Sequence, residues 1–217
     1  MSLTEKTNQI KSSIPANVIL VVVSKTQAVK KIMEVYDSGH FIFGENKVQE
    51  LLDKYEQLPK NIQWHLIGHL QSNKVKLIAP FVDLIQSVDS FKLLQEINKQ
   101  AQKNNRIINC LLQLYIAKEE TKFGFNYPEV EQLLYSEDIK KLKNINIIGL
   151  MGMASNTDDK SQIEHEFFTL NTFFKKLQIS NPSIQILSMG MSSDYTIAIE
   201  NGSSLIRLGS SIFGNRI

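Results

Sequence analysis

Short apolar runs recur along the chain, and apolar residues return every three or four positions in the stretches that follow them. The first run, 18–23, is continuous, rich in β-branched residues and too short to span a membrane. It reads as a parallel strand buried on both faces. Seven more runs lie at 41–43, 64–67, 84–86, 110–116, 145–151, 184–188 and 205–208. Between them, Val29, Ile32, Met33 and Tyr36 mark one helix face, and Val48, Leu51, Leu52 and Tyr55 a second. Phe91, Leu94, Ile97 and Ala101 mark a third, and Ile163, Phe167, Leu170, Phe174 and Leu177 sustain the longest stripe. These stripes read as core. Ser161 with Glu164 forms a capping-box pattern at the start of the long helix, and Pro128 suits the first turn of another.

Regular alternation of strand and helix implies a parallel sheet with helices outside. Eight repeats in about 200 residues favour a closed (β/α)8 TIM barrel, a single domain over residues 1–217. An open doubly wound sheet is the alternative, but no G-x-G-x-x-G follows the first strand and no G-x-x-x-x-G-K-[ST] occurs.

Composition narrows the functional classes. The 217 residues are 42% hydrophobic and 21% charged, the balance of a globular protein, and a net charge of +2 offers no basic stripe for nucleic acid. A single cysteine, Cys110, excludes an internal disulfide and sits in an apolar run, so it reads as a core thiol in a reducing compartment. The N-terminus has no apolar signal core, and no stretch reaches the roughly 18 to 20 apolar residues of a membrane span. A cytoplasmic protein is expected.

Ligand chemistry in such a barrel belongs at the carboxyl ends of the strands, with phosphates often held after strands seven and eight. After strand one comes Ser24-Lys25-Thr26; Lys25 is either a rim lysine or an amine able to attack a carbonyl. After strand two, Gly44 permits a tight turn while Glu45 and Asn46 offer polar atoms to a ligand; alternatively, Asn46 caps the next helix. After strand three, His65 and His69 have the spacing of a helical metal pair, but Gly68 lies between them and no acidic third ligand is near. His65 reads as an inward strand residue and His69 as a rim residue. His40 suits a turn and His165 a polar helix face. The segment 188–194 follows strand seven and leads into a helix, so Ser192 suits an anion. After strand eight, Gly209 and Ser210 offer backbone N–H groups and a hydroxyl, again suited to phosphate.

A phosphate site on one side of the mouth and a strand-one lysine on the other suggest pyridoxal 5'-phosphate. Its aldehyde would form a Schiff base with Lys25, and its phosphate would lie at Ser192, Gly209 and Ser210. Arg207 would face the pyridine nitrogen and keep it unprotonated, which weakens the ring as an electron sink.

The segments 22–26, 43–46, 64–74, 149–151, 188–194 and 207–214 resemble, in order, the YggS/PROSC family of pyridoxal phosphate homeostasis proteins. The resemblance implies a barrel of the alanine racemase N-terminal-domain type, a lysine-bound cofactor at Lys25, and a monomer without catalytic turnover that acts in vitamin B6 and amino-acid homeostasis. Apo pyridoxal-phosphate-dependent enzymes would be its protein partners. Ser210 stands where many members have threonine and keeps the hydroxyl. The segment before strand one is short, so the family's leading helix is expected to be truncated. The family often has a lysine at the place of Lys122, which either exchanges cofactor or is a solvated rim residue. The alternative function is a fold-type III racemase or decarboxylase. Racemases of this barrel take an opposing acid/base from a second, β-rich domain, whereas this sequence ends directly after strand eight and Tyr195 falls in the helix after strand seven. A carrier is the expectation.

Overall fold

The computed structural model describes residues 1–118 and 123–214. Its strands are β1 Ile19–Val23, β2 Ile42–Glu45, β3 Gln63–Leu66, β4 Leu84–Val88, β5 Ile108–Leu114, β6 Ile145–Gly152, β7 Ile186–Ser188 and β8 Leu205–Leu208. Each pairs in parallel with the next, and β1 pairs with β8, so the sheet closes into a barrel in chain order. Closure removes the open-sheet alternative. The helices are α1 Leu3–Ser13, α2 Val29–Asp37, α3 Val48–Gln57, α4 Val75–Ile78, α5 Phe91–Lys103, α6 Tyr127–Tyr135, α7 Lys160–Ser180, α8 Tyr195–Glu200 and α9 Ser210–Phe213. Among the described residues no helix is long and apolar enough to cross a membrane.

Two apolar cores explain why the strand runs are continuous rather than alternating. Val21, Leu84, Leu111, Met151 and Leu205 meet inside the barrel. Val22, Phe43, Trp64, Ile85, Leu112, Leu150 and Ile206 point outward and are covered by helix residues such as Ile32, Leu51, Ile97 and Phe167. A strand between two apolar layers has no wet face. Cys110 is fully buried in the outer core, and burial pushes its thiol far above the ordinary range, so it packs as a small hydrophobe.

Two local expectations need correction. The leading segment is a formed helix: α1 begins at a capping box in which Ser2 accepts from the Glu5 N–H and Glu5 accepts from the Ser2 N–H, and Leu3, Ile10 and Ile14 pack on the core. Ser161 does not cap α7. Asp159 does so, its carboxylate accepting from the N–H groups of Ser161 and Gln162 at 3.0 and 3.2 Å, and the chain is already helical at Lys160. Charge favours this choice, since a carboxylate meets the positive end of the helix dipole. Pro128 stands in the first turn of α6, where its missing N–H costs nothing.

The start of α6 is held by Asn126, which accepts from the Glu129 N–H at 2.9 Å while Glu129 accepts from the Asn126 N–H at 2.7 Å. Asn126→Ala is expected to lower the unfolding free energy by about 1 kcal/mol. A urea-unfolding midpoint unchanged from wild type would show that the cap contributes nothing here.

Candidate functional site

Barrel closure brings the two ends of the chain's chemistry together. In the β1–β8 pairing Val21 lies opposite Arg207 and Val22 opposite Leu208, so the segments that leave these strands emerge side by side. Between them is a cavity of about 320 Å³ whose wall includes Lys25, Asn46, Ser192, Arg207, Gly209 and Ser210. All six candidates read from the sequence therefore face one space. Its apolar side is formed by Val23, Ile67, Met153 and Phe213. Neither Met153 nor Phe213 stood out in the sequence; the signal for Met153 was its place just beyond the end of β6.

One end of the cavity is built from backbone donors. The N–H groups of Gly209 and Ser211 converge on Ser192 Oγ at 3.2 and 3.3 Å. A side chain at Gly209 would stand 3.2 Å from the Val23 carbonyl oxygen, so glycine lets β8 lie close beside β1 at this point. The preceding loop turns at Gly190, whose φ of 96° strongly favours glycine and where a Cβ would meet that of Ala198 at 2.6 Å. The Gly190 carbonyl accepts from the Arg207 N–H at 3.0 Å, and buried Asp194 accepts from the Met191 N–H at 2.5 Å. Converging N–H groups and hydroxyls of this kind suit an anion.

Arg207 is 4% exposed. Its guanidinium donates to the Gly152 carbonyl at 3.0 Å and to Ser188 Oγ. Burial lowers its pKa to about 10, against the opposing pull of Asp194, so it remains charged at neutral pH.

Lys25 is half-buried in the lining of the same cavity, and the backbone beside it is held from behind. Thr26 has a φ of 65°, a left-handed conformation unusual for a β-branched residue. Its N–H donates to Glu50. Lys54, from α3, donates to the Ser24 carbonyl, Glu45 and Glu50, each at 2.7 Å, and Ser24 Oγ donates to Glu45 at 2.6 Å. This corrects the reading of Glu45 as a ligand group. β2 turns it outward beneath α3, where burial raises its carboxyl above the ordinary value despite Lys54. Gly44 likewise lies within β2 rather than at a turn. Asn46 does not cap α3, whose N-cap is Lys47. Its Oδ1 is buried without a hydrogen-bond partner, and the residue faces the cavity.

His65 is an inward residue of β3, as read, and His69 lies on the rim paired with Asp89 at 3.0 Å. The two rings belong to different layers and share no site. His165 is exposed on α7, whereas His40 is buried after its turn, edge-on to Phe43. Tyr195 opens α8, as expected. Lys122 lies outside the described residues.

Comparison with known proteins follows the same lines. The family model for the alanine racemase N-terminal domain matches residues 2–216. A curated pyridoxal phosphate homeostasis protein from Vibrio alginolyticus is 41% identical over 93% of this chain and 88% of its own length. The structure of PipY from Synechococcus elongatus PCC7942 without PLP superposes with a TM-score of 0.93 at 33% identity, covering 98% of this chain and all of that one. The same protein with PLP bound gives 0.89. Alanine racemase from Clostridium difficile 630 shares the fold at a TM-score of 0.81 and 15% identity, over 99% of this chain but 56% of that one. With a family model matched along nearly its whole length and a relative of this similarity, the chain belongs to the pyridoxal phosphate homeostasis proteins, a family built on the alanine racemase N-terminal domain.

Proposed function

We propose that the protein binds pyridoxal 5'-phosphate in the cavity at the barrel mouth and holds it through Lys25, in intracellular vitamin B6 and amino-acid homeostasis rather than in turnover. The observation that carries this reading is the meeting of a lysine amine, a buried arginine and converging backbone N–H groups in one cavity. The donor set fits the ligand. Two N–H groups with the hydroxyls of Ser192 and Ser210 match a phosphate, and the partnerless Asn46 Oδ1 matches a hydroxyl donor on the ring. Apolar Met153 and Ile67 suit the ring faces.

When bound, the cofactor supplies an aldehyde carbon to which an amine adds with loss of water. Lys25 supplies the amine, and the Lys54 and Glu50 bonds behind it fix the backbone from which it projects. Arg207 carries a positive charge that would face the ring nitrogen and disfavour its protonation, which would leave the ring a weak electron sink. Such a site is better suited to retaining the cofactor than to stabilising a carbanion. The naming of the relatives as homeostasis proteins, at far higher identity than the racemases, supports the same choice. A cytoplasmic monomer that passes the cofactor to apo enzymes completes the proposal.

The test is borohydride reduction of the purified protein loaded with pyridoxal phosphate, followed by peptide mass spectrometry. The label is expected on the peptide containing Lys25 and should vanish in Lys25→Ala while far-UV circular dichroism is unchanged. Label on another lysine would refute the assignment. Incubating the loaded protein with D- and L-alanine separates the functions: sustained interconversion would make it a racemase instead.

A further inference from the structure

A chain of polar side chains crosses the barrel interior beneath the cavity, and nothing in the binding site proper accounts for it. Arg207 donates to Ser188 Oγ. Ser188 donates to Gln86 Oε1 at 2.7 Å, and Gln86 Nε2 meets His65 Nδ1 at 3.0 Å. His65 Nε2 stands 3.6 Å from Asp83 Oδ2, whose side chain is 47% exposed. β4 and β7 are not neighbours in the sheet, so the Ser188–Gln86 bond passes through the interior. Asp83 directly precedes β4 and lies at the closed end, opposite the mouth. Ser188 and Gln86 are fully buried, and Arg207 and His65 are each 4% exposed. A polar group so enclosed is costly unless its partners are fixed.

The direction of donation is set throughout. Arginine only donates, so Ser188 must accept from it and spend its own proton on Gln86. Gln86 then presents its carbonyl to Ser188 and its NH2 to His65. His65 must accept at Nδ1 and carry its proton on Nε2, toward the Asp83 carboxylate, which the ring holds below its ordinary pKa. Arg106 stands beyond Asp83.

We propose that Gln86 and His65 are positioning residues for Arg207: this one-way chain, anchored at the closed end of the barrel, fixes the guanidinium under the cavity. The functional consequence rests on the reading of the cavity as a pyridoxal phosphate site, but the chain itself does not. Sequence spacing gave no hint of it, because its members come from four strands and its two halves, on β3–β4 and on β7–β8, meet only through the Ser188–Gln86 bond across the closed interior.

The first test needs no ligand. In 15N-histidine NMR of the unloaded protein, His65 is expected as the neutral Nε2–H tautomer. Gln86→Glu keeps the acceptor for Ser188 but removes the donor to His65, so the ring is expected to take a proton on Nδ1. A His65 signal identical in both proteins would overturn the proposal. The second test reads retention of pyridoxal phosphate during dialysis. Gln86→Met, which breaks the chain on both sides, is expected to weaken retention about tenfold, while Gln86→Glu stays near wild type. If Gln86→Met does not fold, Ser188→Ala replaces it with the same expectation. Equal retention in the broken variant and wild type would overturn the positioning role. A wild-type protein that retains no pyridoxal phosphate would refute the proposed function, and the NMR result would still decide the chain.

Discussion

Lys54→Met is expected to lower the unfolding free energy by about 3–5 kcal/mol, because it leaves a buried carboxylate without its counter-charge. Lys54 is 5% exposed and Glu45 not at all. One ammonium joins Glu45, Glu50 and the Ser24 carbonyl, so its removal takes a donor from three acceptors at once and a shared positive charge from the two carboxylates among them. The loss should also depend on pH. Burial already holds the Glu45 carboxyl above its ordinary value, so the folded state binds that proton more tightly than the unfolded chain. Stability from such a group is complete below the ordinary carboxylate range and is lost as pH rises through the raised folded value. In the variant the attraction of Lys54 is gone and the repulsion from Glu50 stays, so the folded value rises further. Urea unfolding at about pH 5 and about pH 8 should therefore show the larger deficit at the higher pH. Adding Glu45→Gln to Lys54→Met should recover part of the loss. Equal deficits at both pH values would mean that Glu45 is not the group Lys54 neutralises. Retention of the cofactor should fall as well, since the same bonds hold the backbone on either side of Lys25.

The second large effect is expected at Gly149. A Cβ there would stand 1.9 Å from the Ile186 carbonyl oxygen and 2.7 Å from its carbon. Backbone in a closed barrel has nowhere to move, because β7 is held on its other side by β8. The crowding follows a register shift between β5 and β6, where Cys110 and Leu111 are neighbours but their partners Ile147 and Gly149 are not. Gly149→Ala is expected to cost on the order of 3 kcal/mol or more, read as a fall in the thermal midpoint. Gly152→Ala is the control. Its Cβ would meet the ends of the Leu170 and Ile116 side chains at 2.5 and 2.9 Å, and these can rotate away. A control that costs as much as Gly149→Ala would show that backbone contact is not the cause.

Much of this molecule was legible in its sequence. The eight apolar runs correspond to the eight strands, with edges that moved where pairing, rather than hydrophobicity, sets the end. β5 starts at Ile108, two residues before its run of 110–116, because Ile108 pairs with Ile145; β7 is shortened to Ile186–Ser188 by the loop before it. The site candidates at the strand ends were legible because a barrel puts strand ends at one mouth. Glu45 was misread because its neighbours Gly44 and Asn46 face the interior and the mouth, while alternation along the strand turns Glu45 out toward Lys54. The cap of α7 was misplaced because two acceptors lay within reach, and only the backbone path selects Asp159.

The sequence by itself determined the alternation of elements, the two-sided burial of the strands and the chemical character of the loops. Each of these follows from local hydrophobic periodicity and from the residue types at a turn. Only the tertiary structure decided which of those loops meet. Pairing of β1 with β8 brings the segment that carries Lys25 beside the one that follows Arg207, and closure of the barrel lets Gln86 reach Ser188 through the interior. The physical reason is that closure depends on the tilt and stagger of all the strands together, a property that no local stretch of chain carries.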